Sequence, residues 1–296
     1  MMMMSDNLFP THKWNYVVID TRFYTTMKKL ILASLVALST QFTLANSNNS
    51  IPTDPAFAKI EAMVKANNLS GAYQELDKLA KTGNPQAIYN LGYLTQTGQG
   101  TAKNEKRAIE LYEQAAKKGY PVANYVLGKN HLTGTLGLKQ DTNKAKQYLQ
   151  KASSQGFHDA TIDLAVVYFS ENKADSDKKG LQLLEPLIKK GNNQAIHAKA
   201  LYDISLGFKN KNEAPIQQGL KSIQDLAQKG YIPALMAVGN MFTNGNIVPQ
   251  NLPEAKKIFS ALAKENVPQA KESLAVVDKM IADQAKNPPK AAAKKS

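Results

Sequence analysis

The apolar positions of this chain come in short blocks with helical spacing. Leu111, Tyr112, Ala115 and Ala116 form one block, and Ile258, Phe259, Leu262 and Ala263 form another. Residues three and four apart share a helix face, so each block reads as an amphipathic helix with one apolar stripe. Each block sits in a fixed frame. A small residue (Ala72, Ala108, Ala145, Gly180, Gly219, Ala255) stands eleven positions before a closing residue (Gly83, Gly119, Gly156, Gly191, Gly230, Asn266). Eleven residues are about three helical turns. The closing glycine ends the helix, because it takes the left-handed conformation at little cost.

A second helix follows each closing residue. An alanine stands four positions beyond it, at Ala87, Ala123, Ala160, Ala195, Ala234 and Ala270. Pro85, Pro121, Pro233 and Pro268 fall where a first helical turn tolerates proline. Gly92, Gly128 and Gly239 then let neighbouring helices approach closely. These helices are expected to end near Gly98, Gly134 and Gly245, with N-caps at Asn104, Asp141 and Asn251 opening the next block. The closing residues recur every 35 to 39 positions, a period that marks a repeat architecture. The units at 157–191 and 192–230 are degenerate: Pro186 is expected to kink one helix, and Gly207 to Ala214 reads as a long loop before Pro215. The pattern predicts hairpins at about 54–83, 84–119, 120–156, 157–191, 192–230 and 231–266, then a terminal helix at 267–285.

The ends of the chain differ from this middle. Met27-Lys28-Lys29 opens a positive segment, Leu30 to Leu38 is apolar apart from Ser34, and Thr43-Leu44-Ala45 supplies small residues for a cut after Ala45. That is the layout of a secretory signal peptide at 27–45, and the apolar stretch is short for a membrane span. Met27 reads as the true start, which makes residues 1–26 an upstream extension; the alternative is an uncleaved amphipathic anchor. Residues 286–296 form a Lys/Ala/Pro tail, expected to be disordered. The expected location is the periplasm, with secretion as the alternative.

Charge and cysteine usage narrow the chemistry. Removing residues 1–45 takes four of the 37 basic and two of the 24 acidic residues, leaving 33 and 22, a balance of +11. Arg107 is then the sole arginine, whereas readers of bases and phosphates favour arginine forks, so nucleic acid is disfavoured as a partner. Weak contact with anionic envelope polymers fits the spread lysines better. The chain has no cysteine, which excludes disulfides and thiolate metal sites.

Leu91-Gly92, Gly98, Gly100, Asn104, Arg107-Ala108, Tyr112, Ala115-Ala116 and Gly119 resemble the Sel1-like repeat, a relative of the tetratricopeptide repeat. Gly239, Gly245, Val248, Asn251, Glu254-Ala255, Phe259 and Ala263 repeat the match. The resemblance implies an all-α fold, a right-handed α/α superhelix (solenoid) of helical hairpins. It also implies an adaptor role in bacterial envelope assembly, signalling or host contact. In such a superhelix the first helix of each hairpin lines the concave face. Transferring that geometry makes Tyr89, Tyr93, Tyr125, Lys129 and Asn240 the candidate partner-binding residues. The competing reading is that the tyrosines fill gaps between repeats. Gly83, Gly92, Gly119, Gly128, Gly156, Gly191, Gly230 and Gly239 are structural positions in this reading.

No motif points to catalysis, a metal or another cofactor. His131 stands where sister units carry Tyr168 and Phe242, so it reads as core; His158 and His197 have no partner at metal-ligand spacing. Asp175 to Gly180 imitates a calcium loop but has lysine at its fifth position and Pro186 at its twelfth, and reads as an N-cap and a loop. Ser176-x-x-Lys179 and Lys81-Thr82-Gly83 match fragments of penicillin-recognising enzymes, without the Ser-Asp-Asn element. Cysteine-rich relatives of this repeat class are linked to β-lactam binding, which keeps a weak β-lactam or cell-wall hydrolase as an alternative. The leading expectation is a non-catalytic protein–protein scaffold that binds a protein or peptide. A binder of peptidoglycan or another anionic glycan is the other alternative.

Overall fold

The computed structural model describes residues 56–286. The upstream extension, the signal peptide and all but the first residue of the expected tail lie outside the described residues. Among the described residues there are thirteen helices and no strand. They are α1 (Ala56–Lys65), α2 (Leu69–Lys81), α3 (Pro85–Thr97), α4 (Glu105–Lys117), α5 (Pro121–Thr133), α6 (Thr142–Ser154) and α7 (His158–Ser170). Then follow α8 (Ala174–Lys189), α9 (Asn193–Asn210), α10 (Glu213–Gln228), α11 (Ile232–Asn244), α12 (Leu252–Lys264) and α13 (Pro268–Lys286). The fold is an all-α solenoid of helical hairpins, each with an odd-numbered first helix and an even-numbered second helix, closed by α13. The described residues divide into two compact units, 56–195 and 196–286.

The closing residues do what their chemistry demands. Gly83, Gly119, Gly156, Gly191 and Gly230 have φ of 73° to 92°, and Asn266 has 58°. The loops within the regular hairpins share one design. Gly98, Gly134 and Gly245 cap the first helices in the left-handed conformation. Asn104, Asp141 and Asn251 then cap the second helices through their side chains. The backbone N–H of each of these N-caps donates back to the first helix, to the carbonyls of Thr95, His131 and Phe242, at 2.8 Å in all three.

The close approach between the two helices of a hairpin is made in two interchangeable ways. Nine positions after the closing residue, the first helices carry Gly92, Gly128, Ala165, Ala200 and Gly239. The facing second-helix positions carry Ala108, Ala145, Gly180, Gly219 and Ala255. Wherever one helix has alanine, the other has glycine. A Cβ on Gly239 would lie 2.6 Å from Cζ of Phe259, and one on Gly128 would lie 2.9 Å from Cγ of Leu149. In the swapped pairs the obstacle includes backbone: a Cβ on Gly219 would lie 2.5 Å from the Ala200 carbonyl oxygen, and one on Gly180 3.0 Å from that of Ala165. At each crossing a side chain in place of the glycine would run into a large residue of the facing helix, a backbone carbonyl, or both.

The degenerate middle departs from expectation in two places, the segment from Gly207 to Ala214 and the run from Asp175 to Gly180. The predicted loop from Gly207 to Ala214 is mostly helix: α9 runs to Asn210, leaving only Lys211 and Asn212 before α10. The chain turns there with Lys211 at φ 52°, and the preceding hairpin turns at Asn172 with φ 56°. Without a loop glycine, the residues that would have looped extend the helices, so α8 and α10 have 16 residues where α4, α6 and α12 have 13. Asp175 and Asp177 are therefore not a cap and loop but lie in the first turn of α8, where carboxylates complement the helix dipole. Pro186 does not interrupt α8; it and Gln182, whose carbonyl loses its donor, are both exposed. Pro215 is tolerated in the first turn of α10.

The crossing makes a stability prediction. Gly219→Ala should cost about 1–3 kcal/mol, because the obstructing atom is backbone and cannot rotate away. Gly156→Ala meets open space and pays only for its φ of 81°, about 1 kcal/mol. Urea unfolding followed by circular dichroism should rank the two in that order.

Candidate functional site

The first helices are unusual in what they leave out. α3, α5 and α7 have 13 residues each and contain three charged side chains between them, Lys129, Asp159 and Asp163. By contrast α4 and α8 carry six Asp, Glu, Lys or Arg each. The second helices turn this charge to water, with Lys106, Arg107, Lys117, Lys144, Lys151 and Lys178 among the exposed residues. One register of the first helices forms a stripe spaced by four and three residues. It comprises Gln86, Asn90 and Tyr93 on α3, Val122, Val126 and Lys129 on α5, and Asp159, Asp163 and Val166 on α7. All are half-buried except Asp163, which is 3% exposed.

The five candidate residues do not share one role. Tyr89 and Tyr125 occupy the same register and serve as joints between hairpins. The Tyr89 ring lies 5.3 Å from both Tyr112 and Tyr120. The Tyr125 ring lies 5.0 Å from Phe157. His197 takes this register in the second unit, edge-on to Tyr231 at 5.7 Å. The partners Tyr120, Phe157 and Tyr231 are N-cap residues that make no side-chain capping bond. At these helix starts the repeat replaces a polar cap with an aromatic contact to the preceding hairpin. Tyr93 and Lys129 lie on the stripe instead. Asn240, half-buried on α11, belongs to the unit 196–286.

Lys129 joins a cluster that the sequence reading missed. Its Nζ lies 3.0 Å from Oδ2 of Asp163 and 5.8 Å from the centre of the Tyr125 ring. The Tyr125 hydroxyl donates to Asp163, and its phenol is pushed far up, first by burial and then by the negative charges of Asp163 and Asp159. Burial raises the Asp163 carboxyl against the opposing pull of Lys129. Burial likewise raises Asp159, opposed by His158 and Lys129. The available signal was Asp163 itself, a lone carboxylate in the otherwise apolar run from Ile162 to Phe169.

The remaining candidates take structural places. His131 is buried, stacked on Tyr148 at 5.7 Å, with Nδ1 3.3 Å from the Lys139 carbonyl. Ser176 is buried in the first turn of α8 and donates to Oε2 of Glu171 at 2.5 Å, a poor setting for a nucleophile. Gly83 lies at the end of α2, beside Nζ of Lys118. Among the described residues no group of three or more His, Asp or Glu is placed to hold a metal ion, and no helix is long and apolar enough to cross a membrane.

The Sel1 repeat model matches residues 85–120, 121–157 and 232–267, the three hairpin segments that share the glycine loop. Residues 85–157 and 232–267 thus carry three Sel1 repeats. Among solved structures it is similar to a Sel1 repeat protein from Oxalobacter formigenes, at 22% identity and a TM-score of 0.57, over 75% of this chain and 87% of that one. It is also similar to a protective antigen of uropathogenic Escherichia coli strains displaying an SLR fold, at 21% identity and a TM-score of 0.53. That match covers 71% of this chain but only 44% of the antigen. No curated protein matches the chain. Sel1 repeat proteins generally mediate protein–protein interaction, and the scaffold is typically non-catalytic.

His197 makes the joint of the second unit sensitive to acid. Burial lowers its imidazole from 6.5 to about 4, against the raising effect of a hydrogen bond that the ring donates to the Pro233 backbone carbonyl. The unfolded chain therefore takes up this proton before the folded chain does. Stability is complete above pH 6.5 and falls as pH drops towards 4, by up to about 3 kcal/mol at this group. Denaturant melts between pH 7 and 4 should show that His197→Phe loses less stability than the parent over this window.

Proposed function

We propose that this protein is an exported, non-catalytic adaptor of the bacterial cell envelope. It docks a partner protein or peptide across the first-helix stripe, the face expected to be concave in a Sel1-type superhelix. The segregation of charge carries this reading. A surface meant only for water has no reason to shed charge on α3 and α5 while the second helices of the same hairpins are rich in it. Depletion of charge with retention of tyrosine is the composition of an interface core. Tyr93 and Asn90 offer apolar area with polar tips. The lysines of the second helices aid encounter rather than lock the complex. Export to the periplasm rests on the signal-peptide layout at 27–45.

A photo-crosslinking residue at Asn90 or Val126 in living cells should capture a specific protein, whereas the same residue at the exposed Gln150 should not. Equal capture from Gln150, or no specific adduct from the stripe, would count against the assignment of this face. Cell fractionation of the same strain checks the location.

A further inference from the structure

The repeats provide an internal control for the Lys129 cluster. In the stripe register, the positions of Asp159, Asp163 and Lys129 are filled by Gln86, Asn90 and Tyr93 in one hairpin. They are filled by Gln194, Ala198 and Leu201 in another, and by Pro233, Ala237 and Asn240 in a third. The hairpin therefore needs no charge at these places. A buried ion pair is weak as a stabilising device, because removing both ions from water offsets most of their attraction. Here the Lys129 and Asp163 side chains are only 13% and 4% exposed. The cluster is also unbalanced. Lys129 answers Asp163, while Asp159 sits one turn away on the same helix, half-buried and in no ion pair among the described residues; only its neighbour His158 and the more distant Lys129 oppose its charge. The site holds two carboxylates for one ammonium, beside the Tyr125 ring and on the face assigned to docking.

We propose that this cluster receives a basic side chain, Lys or Arg, from the partner segment. Asp159 takes the ammonium or guanidinium group directly. Asp163, held by Lys129 and Tyr125, supplies negative charge behind it. The low dielectric of the half-buried site makes the contact selective as well as attractive. The inference rests on the docking reading. It also runs against the protein's own field, since a chain of +13 attracts acidic peptides in general.

The test is selection of a displayed random twelve-residue peptide library on the full chain, with affinities of the enriched peptides measured by fluorescence anisotropy. Peptides displaced by modification at Asn90 should share one basic position. Replacing that residue by glutamine should weaken binding about tenfold, and Asp159→Asn should remove the difference between the two peptides. Asp159 is half-buried and the change is isosteric, so the fold should persist; an unchanged thermal melt verifies this. Stripe-binding peptides with no shared basic residue, or indifferent to Asp159→Asn, would overturn this inference and leave the docking face standing. Binding lost on acetylating the peptide N-terminus would overturn the side-chain assignment in favour of a terminal amine. An absence of stripe-binding peptides would overturn both readings.

Discussion

Five hairpins close at one crossing, where the two helices come so near that one of them presents glycine. Gly92, Gly128 and Gly239 give up the methyl on the first helix; Gly180 and Gly219 give it up on the second. The rest of the repeat depends on this contact. It sets the helix spacing, so the large residue one turn further along the second helix is driven against the first. Tyr112, Leu149, Leu184, Ile223 and Phe259 occupy that position and are all nearly inaccessible. A close-packed interior of this kind has no slack for an extra methyl, which is why glycine changes helix without disappearing.

Between hairpins the joint is aromatic. Tyr120, Phe157 and Tyr231 forgo a polar cap and receive Tyr89, Tyr125 and His197 from the preceding hairpin. This assignment gives Tyr89 and Tyr125 to the stack and leaves Tyr93 and Lys129, also half-buried, on the stripe. A joint made with imidazole instead of phenol differs in one respect: it can be charged by acid.

The accessible face of α3, α5 and α7 is what remains once crossing and joint are satisfied. It carries two amides and a tyrosine on α3 and valines on α5 and α7, and it is charged at one place, where Lys129, Asp159 and Asp163 converge. A repeat array offers identical seats at each step, so a departure at one seat is easier to interpret than the same residues in an irregular fold. The second helices of the same hairpins carry the charge that α3 and α5 lack.

Much of the hairpin was legible in local sequence. Gly83 and its successors mark helix ends because few other residues adopt positive φ cheaply, and Pro85 or Asn104 marks a helix start through its own backbone or side chain. Those signals act over a few residues, so the sequence alone determined the all-α repeat and the regular boundaries. It failed where no local signal existed. Gly207 looked like a loop residue, yet it lies within α9, and its glycine answers the close approach of Ile216, whose Cγ1 is 2.5 Å from where a Cβ would stand. Asp163 looked like an isolated acid until the stack set α7 beside Lys129 on α5. Tertiary structure decided the glycine exchange, the aromatic joints and the charged cluster, because each depends on residues that meet only when separate helices pack.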